Sequence, residues 1–338
     1  MCQGLITLLP KPNKDRLLLD NWRPITLINN DAKLLAHIFA QRIKLCLDTI
    51  IDDSQSGFMQ GRHISNNIRL ILDLIDYKDL ITDNSYILFI DIYKAFDTVT
   101  HDFLFDVLDF FGFGQYFKRA ILTLYSDCNS SVKLPWGTTR RFSISRGIKQ
   151  GDPAAPFLFL LVMQTMALYI NNDLFQGIKI MEKEIKCCQL ADDTAIFFKD
   201  ISQVKKVIEC LNIFSKASGL SLNVKKCTLF PLKDNDTPLT EFEGIPVREE
   251  VTYLGINICK NQSDRVQSNF QPLIVKTKKR FDMWLMRDLS LKGRVLLSKT
   301  EGLSRLVYPA KVLDAPKSCI KKLIQHYSTL YGKTSHTI

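Results

Sequence analysis

Two stretches of the chain set acidic residues where apolar ones dominate. In FIDIYKAFD, Asp91 closes a run of strand-forming residues; 101 positions later, QLADDTAIF places Asp192 and Asp193 between two further apolar runs. A carboxylate taken out of water is costly and tends to neutralise unless a positive charge compensates it. Three acids so placed call for a divalent cation. Ions of the magnesium type take oxygen ligands, use few carboxylates and share substrate phosphates. Two of them about 3.5–4 Å apart can clamp an in-line phosphoryl displacement. The chemistry indicated is nucleotidyl transfer. Taken alone, the Asp pair also has the lesser alternative of acids in surface turns.

Other residues add phosphate-binding potential. Gln150-Gly151 stands just before Asp152-Pro153 at the mouth of an apolar helix. Glycine lets backbone approach a ligand, and a helix N-terminus favours anions; an ordinary loop-to-helix junction would look the same. Net charge is +10, and it is unevenly placed. Residues 251–338 hold 16 Lys and Arg against 5 Asp and Glu, whereas residues 1–250 hold 29 against 30. Lys276, Lys278, Lys279 and Arg280, close to Phe281 and Trp284, form the densest basic cluster, followed by Lys292 and Arg294. Such a module suits a phosphate backbone, or is a solvated helix face.

Composition excludes several classes. With 46% hydrophobic residues and 10% aromatics the chain is globular. Nine scattered cysteines without a C-x-x-C pair fit a reducing compartment rather than a disulfide frame or zinc site. The five histidines form no ligand pair. The longest apolar stretch, Phe157 to Ile170, is too short to span a bilayer and reads as a buried helix. No signal peptide precedes it, so the expected location is intracellular, nuclear or cytoplasmic.

The acids need elements to gather them. Tyr86 to Ile92 reads as a strand, and Ile185–Leu190 with Thr194–Phe198 as a hairpin around the paired aspartates. Helices are expected over 101–111 and 115–125, from Phe157, and over Val204–Ser218 ending at Gly219. Ser221 to Phe230 is a further strand. Near the N-terminus, Leu5–Leu9 is a short strand, Leu34, Leu35, Ile38, Phe39, Ile43 and Leu47 recur at helical spacing, and Asn66–Leu80 is a second helix. Ser131–Leu134 and Arg141–Ile144 bracket a hairpin turn. The polar segment Lys233–Glu250 divides this region from the basic remainder. There Val251–Ile258 reads as a strand, the chain is helical from about Gln267, and Ser290 is a helix N-cap. Strand, helices, strand, strand, helix, strand is the split βαβ order of ferredoxin-like folds. That order lays the first strand beside the later hairpin and so brings Asp91 to Asp192 and Asp193.

Taken together, PKPNKD, NWRPITLINNDAKLLA, SGFMQGRHISNNI, FIDIYKAFDTVTH, GIKQGDPAAPFLF, LADD, FSKASGLSLNVKKC, YLGINI and LSLKGRVLLSKTEGLSRLVYPA stand in an order that resembles the reverse transcriptase domain of non-LTR (LINE-type) retrotransposons. The resemblance implies an α+β right-hand polymerase: fingers over 1–85, a palm with an antiparallel ferredoxin-like sheet over 86–232 (131–150 partly fingers), and a basic, helical thumb over 233–338. It implies RNA-directed DNA polymerisation with two Mg²⁺ ions, or Mn²⁺, held by Asp91, Asp192 and Asp193. RNA template, DNA primer and dNTPs would be its partners.

By the same resemblance Phe96 occupies the space of a ribose 2′-hydroxyl and so disfavours an RNA-polymerising enzyme; an isolated Phe is also ordinary core. Gln150 and Gly151 line the nucleotide pocket. Lys11 and Arg23 grip the triphosphate, with Lys14 and Arg16 as alternatives to Lys11. Lys226, next to Lys225, corresponds to a general acid for pyrophosphate. The residues Lys276, Lys278, Lys279, Arg280, Lys292 and Arg294 track the template–primer backbone. Two departures stand out: Leu190 where an aromatic is usual, and Ala154-Ala155 where Leu-Ser is commoner. With the endonuclease and Cys/His-rich segments also missing, they support an alternative, a decayed element copy that only binds nucleic acid.

Overall fold

A computed structural model describes residues 3–332 apart from 13, 82, 173 and 234–238. Cys2, Asn13 of PKPNKD and part of the expected divider 233–250 therefore lie outside the described residues. In chain order the main elements are β1 (Gln3–Pro10), β2 (Trp22–Ile28), α1 (Asn30–Ile50), α2 (Ile64–Asp76), β3 (Tyr86–Ile90), α3 (His101–Phe110), α4 (Gln115–Tyr125), β4 (Asn129–Leu134), α5 (Ala155–Ile170), β5 (Cys187–Leu190), β6 (Asp193–Phe198), α6 (Gln203–Ser218), β7 (Thr228–Pro231), β8 (Glu250–Tyr253), β9 (Ile256–Cys259), α7 (Gln262–Leu285), α8 (Leu291–Leu297), α9 (Ser304–Val312) and α10 (Lys317–Gly332). No described helix is long and apolar enough to cross a membrane.

The central sheet has strand order β7-β3-β6-β5, every pair antiparallel. All five residues of β3 are buried because the sheet is covered on both faces. Side chains alternate across a strand, so one apolar run feeds two cores. Tyr86, Leu88 and Ile90 join one cluster with Leu158 and Leu161 of α5. Ile87 and Phe89 join the other with Ile68 and Ile71 of α2 and Phe270 of α7. The same alternation holds in β6, where Ile196 and Phe198 face the first core and Ala195 and Phe197 the second. A second sheet, β2-β1-β4, pairs β1 and β2 antiparallel and β1 and β4 parallel.

Most expected elements fall where the patterns put them, including α4 over Gln115–Tyr125, the left-handed cap at Gly219 and the Ser290 hydroxyl accepting from Gly293 N–H. Three differ. In α1 the buried face runs through Ala32, Ala36, Ala40, Ile43 and Leu47, while Leu34 and Ile38 are exposed; small residues let the helix lie close against its neighbour, and size outweighs hydropathy. The expected strand over 221–230 is a 3-10 turn, Val224–Lys226, followed by the short β7. The expected strand over 251–258 is the hairpin β8–β9, turning at Leu254 (φ 48°) and Gly255 (φ 78°). Two positive φ values define the turn that matches strand twist, and Leu-Gly signals it weakly.

Gly219 ends α6 at φ 80°, and a Cβ there would lie 2.5 Å from the Thr98 carbonyl oxygen. Gly219→Ala is expected to lower unfolding free energy by about 1–3 kcal/mol, read from urea denaturation midpoints. An unchanged midpoint contradicts this close approach.

Candidate active site

The register of the central sheet builds the site. The last registered pair of β3 and β6 is Ile90 with Thr194, so Asp91 and Asp193 are the next residues out on the two strands. By alternation both lie on the face of Phe89 and Ala195, and both line one cavity of about 540 Å³ with Lys226, Arg248, Thr252 and Asn257. Asp192 sits in the two-residue turn between β5 and β6, where Leu190 pairs with Asp193. Asp91 is therefore brought to Asp192 and Asp193 across the separation of 101 residues, close enough for its charge to act on both carboxyls. A slip of one residue in this pairing would send one aspartate to the opposite face.

The carboxylates are held against their own repulsion. Burial pushes the Asp192 carboxyl up from the ordinary range, and the Asp91 charge adds to this. Burial first, then the charges of Asp192 and Asp91, raise Asp193 to about 6, although its edge stays open to solvent. One cation meets the cluster directly: Lys226 Nζ lies 3.3 Å from Asp91 Oδ2. Lys225 makes no such contact among the described residues. The backbone is fixed as well. Asn223 N–H donates to the Asp91 carbonyl oxygen at 2.8 Å, and the Tyr253 hydroxyl donates to the Asp193 carbonyl oxygen at 3.2 Å.

Among the described residues, no three or more His, Cys, Asp or Glu side chains form a ready-made metal cage. The aspartates fit a partial oxygen site instead. Their chemistry is all-carboxylate, their charges oppose one another, and a hard cation sharing ligands with substrate phosphates would complete the shell.

The remaining expected residues divide into groups. Phe96 is half-buried and stacks on Phe159 with ring centroids 4.1 Å apart. Gln150 Nε2 donates to Asp97 Oδ1 at 3.2 Å, and the Gln150 carbonyl accepts from Thr26 N–H at 3.1 Å, tying that loop to β2. Gly151 (φ 108°) has no room for a Cβ, which would meet the Thr26 carbonyl oxygen at 2.8 Å. Arg23 is exposed on β2. Lys11 Nζ donates to the Asp20 carbonyl at 2.8 Å, and the Asp20 carboxylate accepts from Lys94 Nζ and Tyr93 Oη. This links the loop after β1 to the segment after Asp91.

Lys276, Lys278, Lys279 and Arg280 are exposed on α7, with Arg280 3.8 Å from Glu301, and Lys292 is exposed on α8. Arg294 is set apart from them. Its guanidinium donates to the carbonyls of Leu289 (3.1 Å) and Leu330 (3.2 Å), tying the segment before α8 to the end of α10. Pattern reading missed Tyr253, Arg248 and Gln55. Tyr253 stood in the YLGINI block, but its bond to Asp193 depends on the unforeseen hairpin. Gln55 lies in a polar loop that carries no chemical signal.

The model of the family described as reverse transcriptase (RNA-dependent DNA polymerase) matches residues 9–258. The chain belongs to that family. Its relatives are proteins of non-LTR retrotransposons. It is 28% identical over 329 residues to the transposon TX1 uncharacterized 149 kDa protein of Xenopus laevis, covering 95% of this chain and 25% of that protein. The Pol polyprotein from the type-1 element R2 of Popillia japonica is 29% identical, with 65% and 31% covered. The RNA-directed DNA polymerase from mobile element jockey of Drosophila funebris is 24% identical, with 91% and 34% covered. The chain thus spans about a quarter to a third of these relatives' length.

Among solved structures, telomerase from Candida tropicalis in complex with a fragment of telomeric RNA aligns with a TM-score of 0.60 at 13% identity, covering 99% of this chain and 55% of that one. The fold is the polymerase fold expected from the sequence. Reverse transcriptases generally use divalent metal ions.

The raised Asp193 has a stability consequence. Its ordinary value is 3.8 and its folded value about 6. Stability linked to the protonated acid is therefore full below 3.8 and is lost as pH rises through about 6. With chelator present and Asp91, Asp192, Lys226 and Tyr253 intact, Asp193→Asn is expected to be more stable than the wild type at pH 8 and not at pH 4. The gain, discounted for solvent exposure, is below about 1 kcal/mol. Chemical denaturation at both pH values checks this; an equal or lower stability at pH 8 contradicts it.

Proposed function

We propose that this chain is an RNA-directed DNA polymerase domain. It extends a DNA primer on an RNA template with dNTPs and releases pyrophosphate. The observation that carries the reading is the convergence of Asp91 with Asp192 and Asp193 at one end of the central sheet, inside a reverse transcriptase family domain.

Asp91, Asp192 and Asp193 would hold two Mg²⁺ ions, for which Mn²⁺ could substitute, with Asp91 and Asp192 the principal ligands. Bound there, the ions supply activation of the primer 3′-hydroxyl and charge stabilisation of the leaving pyrophosphate. Lys226, resting on Asp91 in the free protein, donates a proton to pyrophosphate as it leaves. Lys11 and Arg23 grip the triphosphate; Lys11 exchanges its bond to the Asp20 carbonyl for phosphate oxygens, and Arg binds such groups in a fork. Gln150 and Gly151 line the base and sugar pocket, held to β2 through Thr26. The Phe96 ring, braced by Phe159, fills the space of a 2′-hydroxyl and so selects deoxynucleotides.

Residues 1–85 serve as fingers, 86–232 as palm with 131–150 partly in the fingers, and 233–338 as thumb. Lys276, Lys278, Lys279, Arg280 and Lys292 follow the template–primer backbone, and Arg294 acts in keeping α8 and α10 together.

Primer extension on an RNA template with Mg²⁺ or Mn²⁺ tests the reading. Wild type is expected to incorporate dNTPs, and Asp192→Ala to lose at least about a thousandfold in rate while still binding template–primer. Salt-sensitive binding without incorporation under either metal would instead identify a non-catalytic remnant. Phe96→Val is expected to admit ribonucleotides; unchanged sugar selectivity removes Phe96 from that role.

A further inference from the structure

The turn that carries Asp192 has an unfavourable backbone. Ala191 adopts φ 55°, a left-handed conformation in which a Cβ is penalised. It stands immediately before the acidic pair, so any relaxation there moves both carboxylates. Strain of this kind persists only where surrounding structure over-determines it.

The surrounding structure includes a segment that lies 136 residues earlier in the chain. Gln55 is 1% exposed. Its Oε1 accepts from Ala191 N–H at 2.8 Å, and its Nε2 donates to the Ala191 carbonyl at 3.3 Å. One side-chain amide thus grips both backbone groups of the strained residue. The same Oε1 accepts from Gly57 N–H at 2.8 Å, which fixes the side chain's direction. The segment is itself registered on β5: Gln189 N–H donates to the Ser54 carbonyl (2.7 Å) and Ser56 N–H to the Gln189 carbonyl (2.8 Å). Arg62 locks it from outside by donating to the carbonyls of Ile51 and Gln55. Gly57 lies flat against the turn, where a Cβ would be 2.5 Å from Ala191 N.

We infer that Gln55 is a positioning residue for the active site: its amide clamps the left-handed Ala191 and thereby sets where the carboxylates of Asp192 and Asp193 stand relative to Asp91. Gln55 is buried against the turn. It acts through the turn, and its effect falls on metal binding and on the chemical step, with nucleotide capture through Lys11, Arg23 and Gln150 left alone. This rests on the polymerase reading for its catalytic half only. Glutamine suits the task because it offers an acceptor and a donor on one planar group, matching the N–H and C=O of one residue. Both bonds are shielded from water, so neither is readily replaced when lost.

The test uses Gln55→Met, which keeps side-chain volume and removes both bonds, and Gly57→Ala, which keeps Gln55 and pushes on the turn. Two readouts are taken: Mn²⁺ affinity by EPR titration of the protein, and steady-state primer extension. Both variants are expected to bind Mn²⁺ at least about tenfold more weakly. Both are expected to lose on the order of 10²-fold in kcat, the scale of a misplacement of about 1 Å, with KM for dNTP within about threefold of wild type. Adding Ala191→Gly to Gln55→Met removes the Cβ penalty and is expected to recover about tenfold in both readouts. A merely structural role would give no such rescue.

Wild-type Mn²⁺ affinity and kcat in Gln55→Met overturn the inference. So does a loss that Ala191→Gly fails to recover. If Gln55→Met does not fold, the Gly57→Ala pair with and without Ala191→Gly decides by the same criteria. A wild type that binds Mn²⁺ but incorporates no nucleotide sinks the polymerase reading, while the titration still decides the clamp. A wild type that does neither overturns both.

Discussion

Three carboxylates of like charge, gathered at the end of a sheet buried on both faces, repel one another and resist burial. Everything near them can be read as the means of holding them there. The strand YILFI sends alternate side chains into two cores, so β3 can neither rotate nor slip without exposing one of them. That fixes which face Asp91 occupies. Antiparallel pairing with β6 then sets Asp193 on the same face without any direct attraction between them. The raised Asp192 and Asp193 carboxyls measure the opposition that packing overcomes. A divalent cation would relieve it, and for that reason the arrangement is informative about chemistry rather than fold alone.

Apart from the Lys226–Asp91 ion pair, the elements around the acids are tied to them through backbone. Asn223, Tyr253 and Gln55 bond to the main chain of Asp91, Asp193 and Ala191 in turn. Each comes from a different part of the sequence: the turn before β7, the hairpin β8–β9, and the loop between α1 and α2. The acidic side chains are thus left free to take ligands while their peptide groups are fixed. Basic residues stand at three places. Lys226 sits directly on Asp91, Lys11 and Lys94 meet at Asp20, and the α7 cluster stands exposed.

How much of this could be read from sequence depended on the range of the interaction. The central-sheet elements were legible because apolar runs, Gly219 and the split βαβ order are local signals that agree with the global fold. The meeting of Asp91 with the Asp pair followed from topology. Helix α1 was misjudged on its face, because Ala36 and Ala40 are chosen for close approach, which hydropathy does not rank above Leu34 and Ile38. The β8–β9 hairpin was hidden by an apolar Leu at a left-handed position. Arg294 looked like its basic neighbours, and its carbonyl partners Leu289 and Leu330 have no sequence signature. Gln55 was invisible for the same reason: a side chain bonding to distant backbone leaves no pattern along the chain.

The proposed divalent-metal site at this sheet end would be shared with substrate phosphates. Anomalous diffraction from crystals grown with an RNA–DNA template–primer, a non-hydrolysable dNTP and Mn²⁺ tests it most directly. Manganese density is expected at the carboxylates of residues 91 and 192, beside the triphosphate. Ordered substrate with no manganese at those carboxylates, or residue 91 turned away from residue 192, would contradict it.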